Sequence, residues 1–159
     1  MNEYRPHVKV LPEDDANRQL ALGFSRDLTA GARSFQVLRV AGGWLMVLKL
    51  FEEVHVREMD RNPYRFTVLL IDCDGDSDRL VRAKAAIPQR LTGRVFILGA
   101  LTEPEKLRAD IGKPYEAIGM ALARDCHEGT DITWDHALLK HNAAEVERLR
   151  LHVRPILFP

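Results

Sequence analysis

The chain contains, at residues 66–78, the stretch FTVLLIDCDGDSD, in which an apolar and β-branched run leads directly into alternating aspartates. A continuous apolar run of this length is typical of a strand that is buried on both faces, as in parallel sheets. The carboxylates of Asp72, Asp74, Asp76 and Asp78 repel one another unless a positive group lies among them. The stretch therefore predicts a buried central strand with a charged site at its carboxyl end.

Strand-like and helix-like segments alternate on either side of this stretch. Further strands are predicted at residues 7–11, 34–40 and 95–98. Helices are predicted to begin after Asp14 or Asp15, after Gly42-Gly43 and after the aspartates, since acidic residues cap helices well and glycine ends strands. This alternation indicates an α/β fold, a Rossmann-like parallel sheet of about four strands flanked by helices.

Beyond residue 100 the pattern becomes helical. It predicts helices at residues 103–111, 115–125 and 134–151, followed by a short extended tail at 153–158. We expect an α/β core at residues 1–100 and a helical C-terminal extension at 101–159 that packs on the same domain.

Bulk composition limits the possible functions. The 159 residues include 23 basic and 23 acidic side chains, so the formal net charge is zero. This balance argues against a protein that coats nucleic acid by electrostatics alone, although it permits contact with a few phosphates through a metal. The chain contains no phosphate-binding glycine-rich loop ending in Lys-Ser/Thr, and hence no evident ATPase of its own.

Cellular location is also suggested by composition. Cys73 and Cys126 are too few for a disulfide framework and neither has a Cys-x-x-Cys partner, so reduced thiols are expected. The longest apolar stretch, around Trp44–Leu50, is interrupted by Lys49 and is far shorter than the ~20 residues that span a membrane. The polar N-terminus has no signal-peptide pattern. We expect a cytoplasmic protein without membrane contact.

Acidic residues follow two of the predicted strands. Glu13-Asp14-Asp15 come after the first strand and the aspartates come after the third. Ligands of parallel sheets bind at the carboxyl ends of the strands, so the two groups are expected to meet at one edge. A hard divalent cation would relieve their repulsion, and ligation by oxygen alone selects magnesium, manganese or calcium over zinc. The alternative is a solvated turn and helix cap.

A calcium-binding helix–loop–helix motif is suggested by the order Asp-x-Asp-Gly-Asp. The sixth position of that loop should be glycine and is Ser77, and the twelfth should be glutamate and is Ala83. A strand precedes the loop where a helix is required. The segment therefore does not match this motif.

Three short motifs together resemble a known domain family. They are Glu13 in VLPEDDAN, Gly42-Gly43 in RVAGGW, and Asp72 and Asp74 in LLIDCDGD. A glutamate after the first strand, a glycine pair after the second and Asp-x-Asp after the third resemble the Toprim domain, the metal-binding catalytic domain of topoisomerases, bacterial primases and nucleases of the overcoming-lysogenization-defect type. The resemblance covers residues 7 to about 100.

The resemblance implies a metal-dependent nuclease. Glu13 would be a general acid or base or a metal ligand, Asp72 and Asp74 would be the principal ligands of Mg²⁺ or Mn²⁺, and Asp76 would be a further acid. These residues would cleave phosphodiester bonds of nucleic acid, with DNA the first expectation. Nothing resembles the tyrosine region of topoisomerases, which favours a nuclease. The chain departs from the family pattern in having Pro12 before the glutamate and Glu-Asp in place of Glu-Gly.

A basic segment follows the acids. It contains Arg79, Arg82, Lys84, Arg90 and Arg94. Arg79 and Arg82 are candidates for phosphate binding beside the metal, and the alternative is a solvated helix face. From the small size and neutral charge we expect a larger partner, such as an ATPase, to help bind the substrate.

Other interpretations remain open. The opening VLPEDDANRQLALGF is similar to that of response-regulator receivers, in which Asp72 would be phosphorylated and Lys113-Pro114 would match a conserved pair; no hydrophobic fifth strand leads into Lys113, however. A zinc site could be drawn from Cys126 and three histidines. Two of these, His136 and His141, lie about 140° apart on a helix. A non-catalytic α/β interaction module is the third alternative.

Overall fold

A four-stranded parallel sheet forms the centre of the protein, in the order β2-β1-β3-β4. The computed structural model describes residues 2–30 and 33–159. The strands are β1 His7–Pro12, β2 Phe35–Val37, β3 Arg65–Leu70 and β4 Val95–Leu98. The α-helices are α1 Asp15–Ser25, α2 Trp44–Leu50, α3 Val56–Arg61, α4 Asp78–Ala85, α5 Pro104–Ile111, α6 Tyr115–Glu128, α7 Ala143–His152 and α8 Arg154–Leu157. A π-helix, Phe51–His55, joins α2 to α3. The predicted α/β architecture is confirmed.

The sheet separates two apolar cores. Alternate residues of a strand point to opposite faces, so Val8 and Val10 face one core while Leu11 faces the other. The first core lies under α1, α6 and α7, and the second lies under α2 to α4. Burial on both faces explains why the strands β3 and β4 are almost uninterrupted apolar runs.

The helical part beyond residue 100 shares the first core. Leu107, Ile118, Leu139 and Val146 are buried there together with Val8 and other sheet residues. None of the helices in residues 2–30 and 33–159 combines the length and the apolar character needed to cross a membrane.

Helix α6 crosses α1 at close range because glycine occupies both sides of the contact. A β-carbon added to Gly23 would lie 2.0 Å from the carbonyl oxygen of Glu116, and one added to Gly119 would lie 2.0 Å from that of Leu20. Any larger residue would force the helices apart. This contact fixes α1, whose first turn contributes to the site described below.

Three boundaries predicted from sequence are wrong. The second strand is only Phe35–Val37, and the tail at 153–158 contains the short helix α8 instead of an extended segment. The predicted helix at 134–151 begins only at Ala143. The carboxylate of Asp125 accepts hydrogen bonds from the backbone N–H groups of Thr133 and Trp134 at 2.6 and 3.3 Å. These local bonds replace helical ones and hold this segment in turns.

Candidate active site at the carboxyl edge of the sheet

Glu13 and Asp72 meet where β1 and β3 end. The backbone N–H of Glu13 donates to the carbonyl of Leu70 at 3.1 Å, which extends the pairing of the two strands by one residue. The Glu13 Oε2 atom then accepts a hydrogen bond from the backbone N–H of Asp72 at 2.9 Å. The structure thus brings together two acids, 59 residues apart in sequence, that the strand-end rule placed at one edge.

Asp72 is held rigidly in a buried position, with 5% of its surface exposed. Its Oδ1 atom accepts from the backbone N–H of Ala100 at 2.8 Å, and its Oδ2 atom accepts from Nδ2 of Asn17 at 2.8 Å. Burial raises the pKa of Asp72 to about 7, against the opposing effect of these two hydrogen bonds. The negative charge of Glu13 raises it further. This carboxyl group therefore changes charge near neutral pH, a property that is concentrated at functional sites.

The pKa of Glu13 is also raised. Burial is the largest cause, the bond from the Asp72 N–H opposes it, and the charge of Asp14 adds to it. Among the described residues the Glu13 Oε1 atom has no hydrogen-bond partner. A carboxylate with one free oxygen and a raised pKa is suited to accept a proton from a bound water molecule.

Asp74 and Asp76 lie in the loop that follows and face solvent. The side chain of Asp74 is 65% exposed, and its backbone has a φ of +49°, which is uncommon for a residue other than glycine. The N–H of Asp74 donates to the carbonyl of Thr102 at 3.0 Å, which holds this conformation. Asp76 accepts a hydrogen bond from the N–H of Asp78 at 3.0 Å. The two loop aspartates are therefore adjacent to the Glu13–Asp72 pair without converging on it.

Arg79 supplies the positive charge that the aspartate run requires. Its Nη1 atom donates to the carbonyl oxygen of Asp72 at 3.2 Å, and its Nη2 atom lies 3.4 Å from Oδ2 of Asp74. Its charge also lowers the pKa of Glu13, although less than burial raises it. One guanidinium group among several carboxylates leaves an excess of negative charge at this edge.

The glycine pair after β2 reaches the same place through its backbone. The N–H groups of Gly42 and Gly43 both donate to the carbonyl oxygen of Glu13, at 3.0 and 3.2 Å. Their φ values of +94° and +133° are strained for any side-chain-bearing residue. All three motifs that carry the family resemblance therefore lie together at the carboxyl edge.

The donor atoms here suit a hard divalent cation. All are oxygens, and among the described residues Glu13 Oε1 has no hydrogen-bond partner. As the side chains stand, no group of three or more His, Cys, Asp or Glu residues within 2–30 and 33–159 is arranged to hold a metal. A cation at Glu13 and Asp72 would have to recruit one of the exposed loop aspartates.

The histidines considered for zinc are dispersed. His136 lies 3.5 Å from Asp110 and accepts a hydrogen bond from the Leu138 N–H, while His127 stacks on Phe158. Burial raises the pKa of the Cys126 thiol to about 11, which disfavours the thiolate that zinc requires.

Sequence reasoning missed Asn17, the Ala100 amide and Trp44. Asn17 is 2% exposed and occupies the sheet-facing stripe of α1 with Leu20, Ala21 and Phe24. An amide side chain within an apolar stripe at helical spacing is the signal that could have identified it. The Ala100 contact has no such signal, because it is made by a backbone group.

Comparisons with protein-family models, with curated protein sequences and with solved structures each find no match to this chain. The resemblance to Toprim domains therefore depends on the three motifs themselves.

Proposed function

We propose that this chain is a divalent-metal-dependent nuclease, with a Toprim-like catalytic edge formed by Glu13, Asp72 and Asp74. The observation that carries the proposal is the contact between Glu13 and Asp72, two partly or wholly buried acids with raised pKa values at the carboxyl ends of neighbouring parallel strands. Maintaining such a pair costs folding stability, which is typical of a functional site.

The metal would be Mg²⁺ or Mn²⁺, held by Glu13 and Asp72 with Asp74 or Asp76. When bound, it would offset charge that develops on the phosphate and lower the pKa of a water molecule. The substrate would be nucleic acid, with DNA the first candidate, and a larger partner such as an ATPase is proposed to help deliver it.

The residues of the chain divide the remaining work. Glu13 offers Oε1 either as a metal ligand or as the acceptor of a proton, while its Oε2 atom is fixed by the Asp72 N–H. Asn17 and the Ala100 N–H keep the Asp72 carboxylate in one orientation, so its oxygen atoms stay aligned with the site. Arg79 lies close enough to Asp72 and Asp74 to contact a phosphate oxygen of a bound strand.

The receiver interpretation has less support. The flavodoxin-like order of receivers requires a fifth strand, and the described residues form four. Lys113 follows helix α5 and not a strand.

The direct test is cleavage of supercoiled plasmid, single-stranded circular DNA and RNA by the purified chain with Mg²⁺ or Mn²⁺. Glu13→Gln keeps the shape of the side chain and removes its charge, so the cleavage rate should fall on the order of 10²-fold or more. Glu53→Gln is the matched control, since Glu53 is exposed on the π-helix. Its rate should equal that of the wild type.

Metal-dependent cleavage that survives Glu13→Gln would contradict the assignment. A stable phosphoaspartate at residue 72 after treatment with acetyl phosphate would favour the receiver interpretation. Because a partner could supply substrate binding, the same assays include any protein that co-purifies with the chain.

A further inference from the structure

Trp44 lies between the acidic edge and the basic helix. It is the first residue of α2 and directly follows the glycine pair whose N–H groups bind the Glu13 carbonyl. The guanidinium carbons of Arg79 and Arg82 lie 5.1 and 5.0 Å from the centre of its ring system. Both distances are within the range of cation–π attraction. The indole is thereby linked to the site through Arg79.

The two arginines differ in how firmly they are held. Arg79 is bound by the Asp72 carbonyl and lies near the Asp74 carboxylate. Arg82 is exposed and has no carboxylate partner within the described parts of the chain. One helical turn separates them, so both lie on the same side of α4. Arg82 is therefore free to leave the indole and bind an anion.

Trp44 is partly buried and packs against the second core, and apolar residues near it in the sequence are exposed. Leu45 is 52% exposed, Met46 is 39% exposed and Val40 is 41% exposed. We call Trp44, Leu45, Met46 and Arg82 the stacking surface. It combines an aromatic ring, exposed apolar area and an unpaired cation within reach of the acids, which are the components of surfaces that bind single strands.

We propose that the stacking surface binds unpaired nucleotides: a base stacks on Trp44 while Arg82 moves to the adjacent phosphate, which places the strand beside Glu13 and Asp72. This inference rests on the proposed nuclease function and narrows its substrate to single-stranded or locally unpaired nucleic acid. The faces of bases in the interior of a duplex are already covered by their neighbours, so apart from the terminal pairs only an unpaired base can stack on an indole.

The test measures binding without cleavage. A short fluorescein-labelled DNA strand, and the blunt duplex of the same sequence, are titrated with the chain in EDTA at low salt, and anisotropy is recorded. The wild type should bind the single strand more tightly than the duplex. Trp44→Ala should weaken single-strand binding by about 5- to 150-fold and remove the preference, since stacking of one base is lost.

Three further variants separate stacking from charge and from misfolding. Trp44→Phe retains an aromatic face and should keep most of the affinity. Arg82→Gln should weaken binding and reduce the slope of log affinity against log salt by about 0.7, the value for one phosphate contact with a single strand. Lys84→Gln is the charge-matched control, because Lys84 is exposed on α4 about 200° around the helix from Arg82. It should leave the preference unchanged.

Intrinsic fluorescence gives an independent signal. The strand should quench wild-type tryptophan emission and should not quench that of Trp44→Phe, because Trp134 is buried and donates to the Leu122 carbonyl at 3.2 Å. Circular dichroism establishes that each variant is folded.

Equal binding of single strand and duplex by the wild type, or unchanged binding by folded Trp44→Ala, would overturn the inference. Absence of oligonucleotide binding would also overturn it. In that case self-association of the chain, or binding of a protein through Leu45, would be the observed use of this surface. The nuclease proposal fails separately: it is contradicted when Glu13→Gln leaves cleavage unchanged, whatever Trp44 does. A chain that binds single strands but cleaves nothing would support the stacking surface and sink the nuclease.

Discussion

The two ends of the sheet bury ionisable groups in opposite ways. At the carboxyl edge, Glu13 and Asp72 lie close to each other, and both pKa values are raised. At the amino edge, Arg65 is 4% exposed and its guanidinium group binds the Glu58 carboxylate. The Nη2 atom of Arg65 also lies 3.8 Å from Oε1 of Glu3. Burial opposes ionisation of Glu58 as well, yet the bond to Arg65 and the charge of that residue lower its pKa.

The two edges differ in whether their ionised side chains stabilise the folded state. Each buried charge at the amino edge faces an opposite charge, so neutralising one partner leaves the other uncompensated. At the carboxyl edge burial is the main cause of the raised pKa values and repulsion between the acids adds to it, so neutralising one acid relieves both costs. Stability experiments should therefore distinguish a structural edge from a functional one.

The largest effect is expected from Asp72→Asn, measured without metal as the free energy of unfolding against pH. The folded pKa of Asp72 is raised from 3.8 to about 7, so the folded state favours the protonated form. Its stabilising contribution is full below about pH 4 and is lost as the pH rises to about 7, roughly 4 kcal/mol at most. The variant should lose this slope and be more stable than the wild type at pH 8.

Asp76→Asn is the control for that experiment, because Asp76 is exposed in the same segment. It should keep the wild-type slope. Destabilisation of Asp72→Asn at pH 8 with an unchanged slope would show that the carboxyl edge, like the amino edge, is structural.

Glu58→Gln tests the amino edge. Loss of the carboxylate charge leaves the buried Arg65 guanidinium with Glu3 alone; because the Glu58 side chain is 45% exposed, the cost should lie between those of an exposed and a buried pair, about 1–3 kcal/mol. Denaturant unfolding of the variant should show this loss at pH 7. Glu53→Gln, an exposed glutamate on the adjoining π-helix, should stay within about 0.5 kcal/mol of the wild type. A Glu58→Gln protein as stable as this control would remove the contrast between the edges.

Metal should act on the carboxyl edge only. Binding of Mg²⁺ or Mn²⁺ to the native state should stabilise the protein by about 2.7 kcal/mol at a hundredfold excess over Kd, and should therefore raise its melting temperature. Asp72→Asn combined with Asp74→Asn should abolish the shift, and Glu58→Gln should retain it. An unchanged shift in the double variant would place the metal elsewhere.

The smallest effect is expected from His55, which is buried at the amino edge with its Nδ1 atom 3.9 Å from Glu58. Burial lowers its pKa, the charge of Glu58 opposes this, and Arg65 and Lys9 add to it. Its stabilising contribution is therefore present above the unfolded value near 6.5 and is lost as the pH falls below it. His55→Gln should remove this acid-side loss, most visibly in the Asp72→Asn background, where the opposing slope is absent. An identical profile with and without His55 would contradict the assignment.

The sequence alone determined the sheet and the meeting of Glu13 with Asp72. Apolar runs such as residues 66–71 have one stable environment, the middle of a parallel sheet, and parallel strands bring their carboxyl ends to one edge. The N-cap at Asp14 follows from local chemistry, since its side chain accepts from the Asn17 N–H at 3.0 Å. Such sequence patterns depend on near neighbours in the chain or on a regular period, so the structure they predict does not depend on distant contacts.

Only the tertiary structure decided what surrounds those acids. The pKa of Asp72 depends on burial and on contacts with Asn17 and the Ala100 N–H, which are 55 and 28 residues away in sequence. The stacking of Arg79 and Arg82 on Trp44 likewise depends on how α2 and α4 pack together. Desolvation and charge pairing are set by distances in space, and no local pattern of residues encodes which backbone group or ring will fill a site.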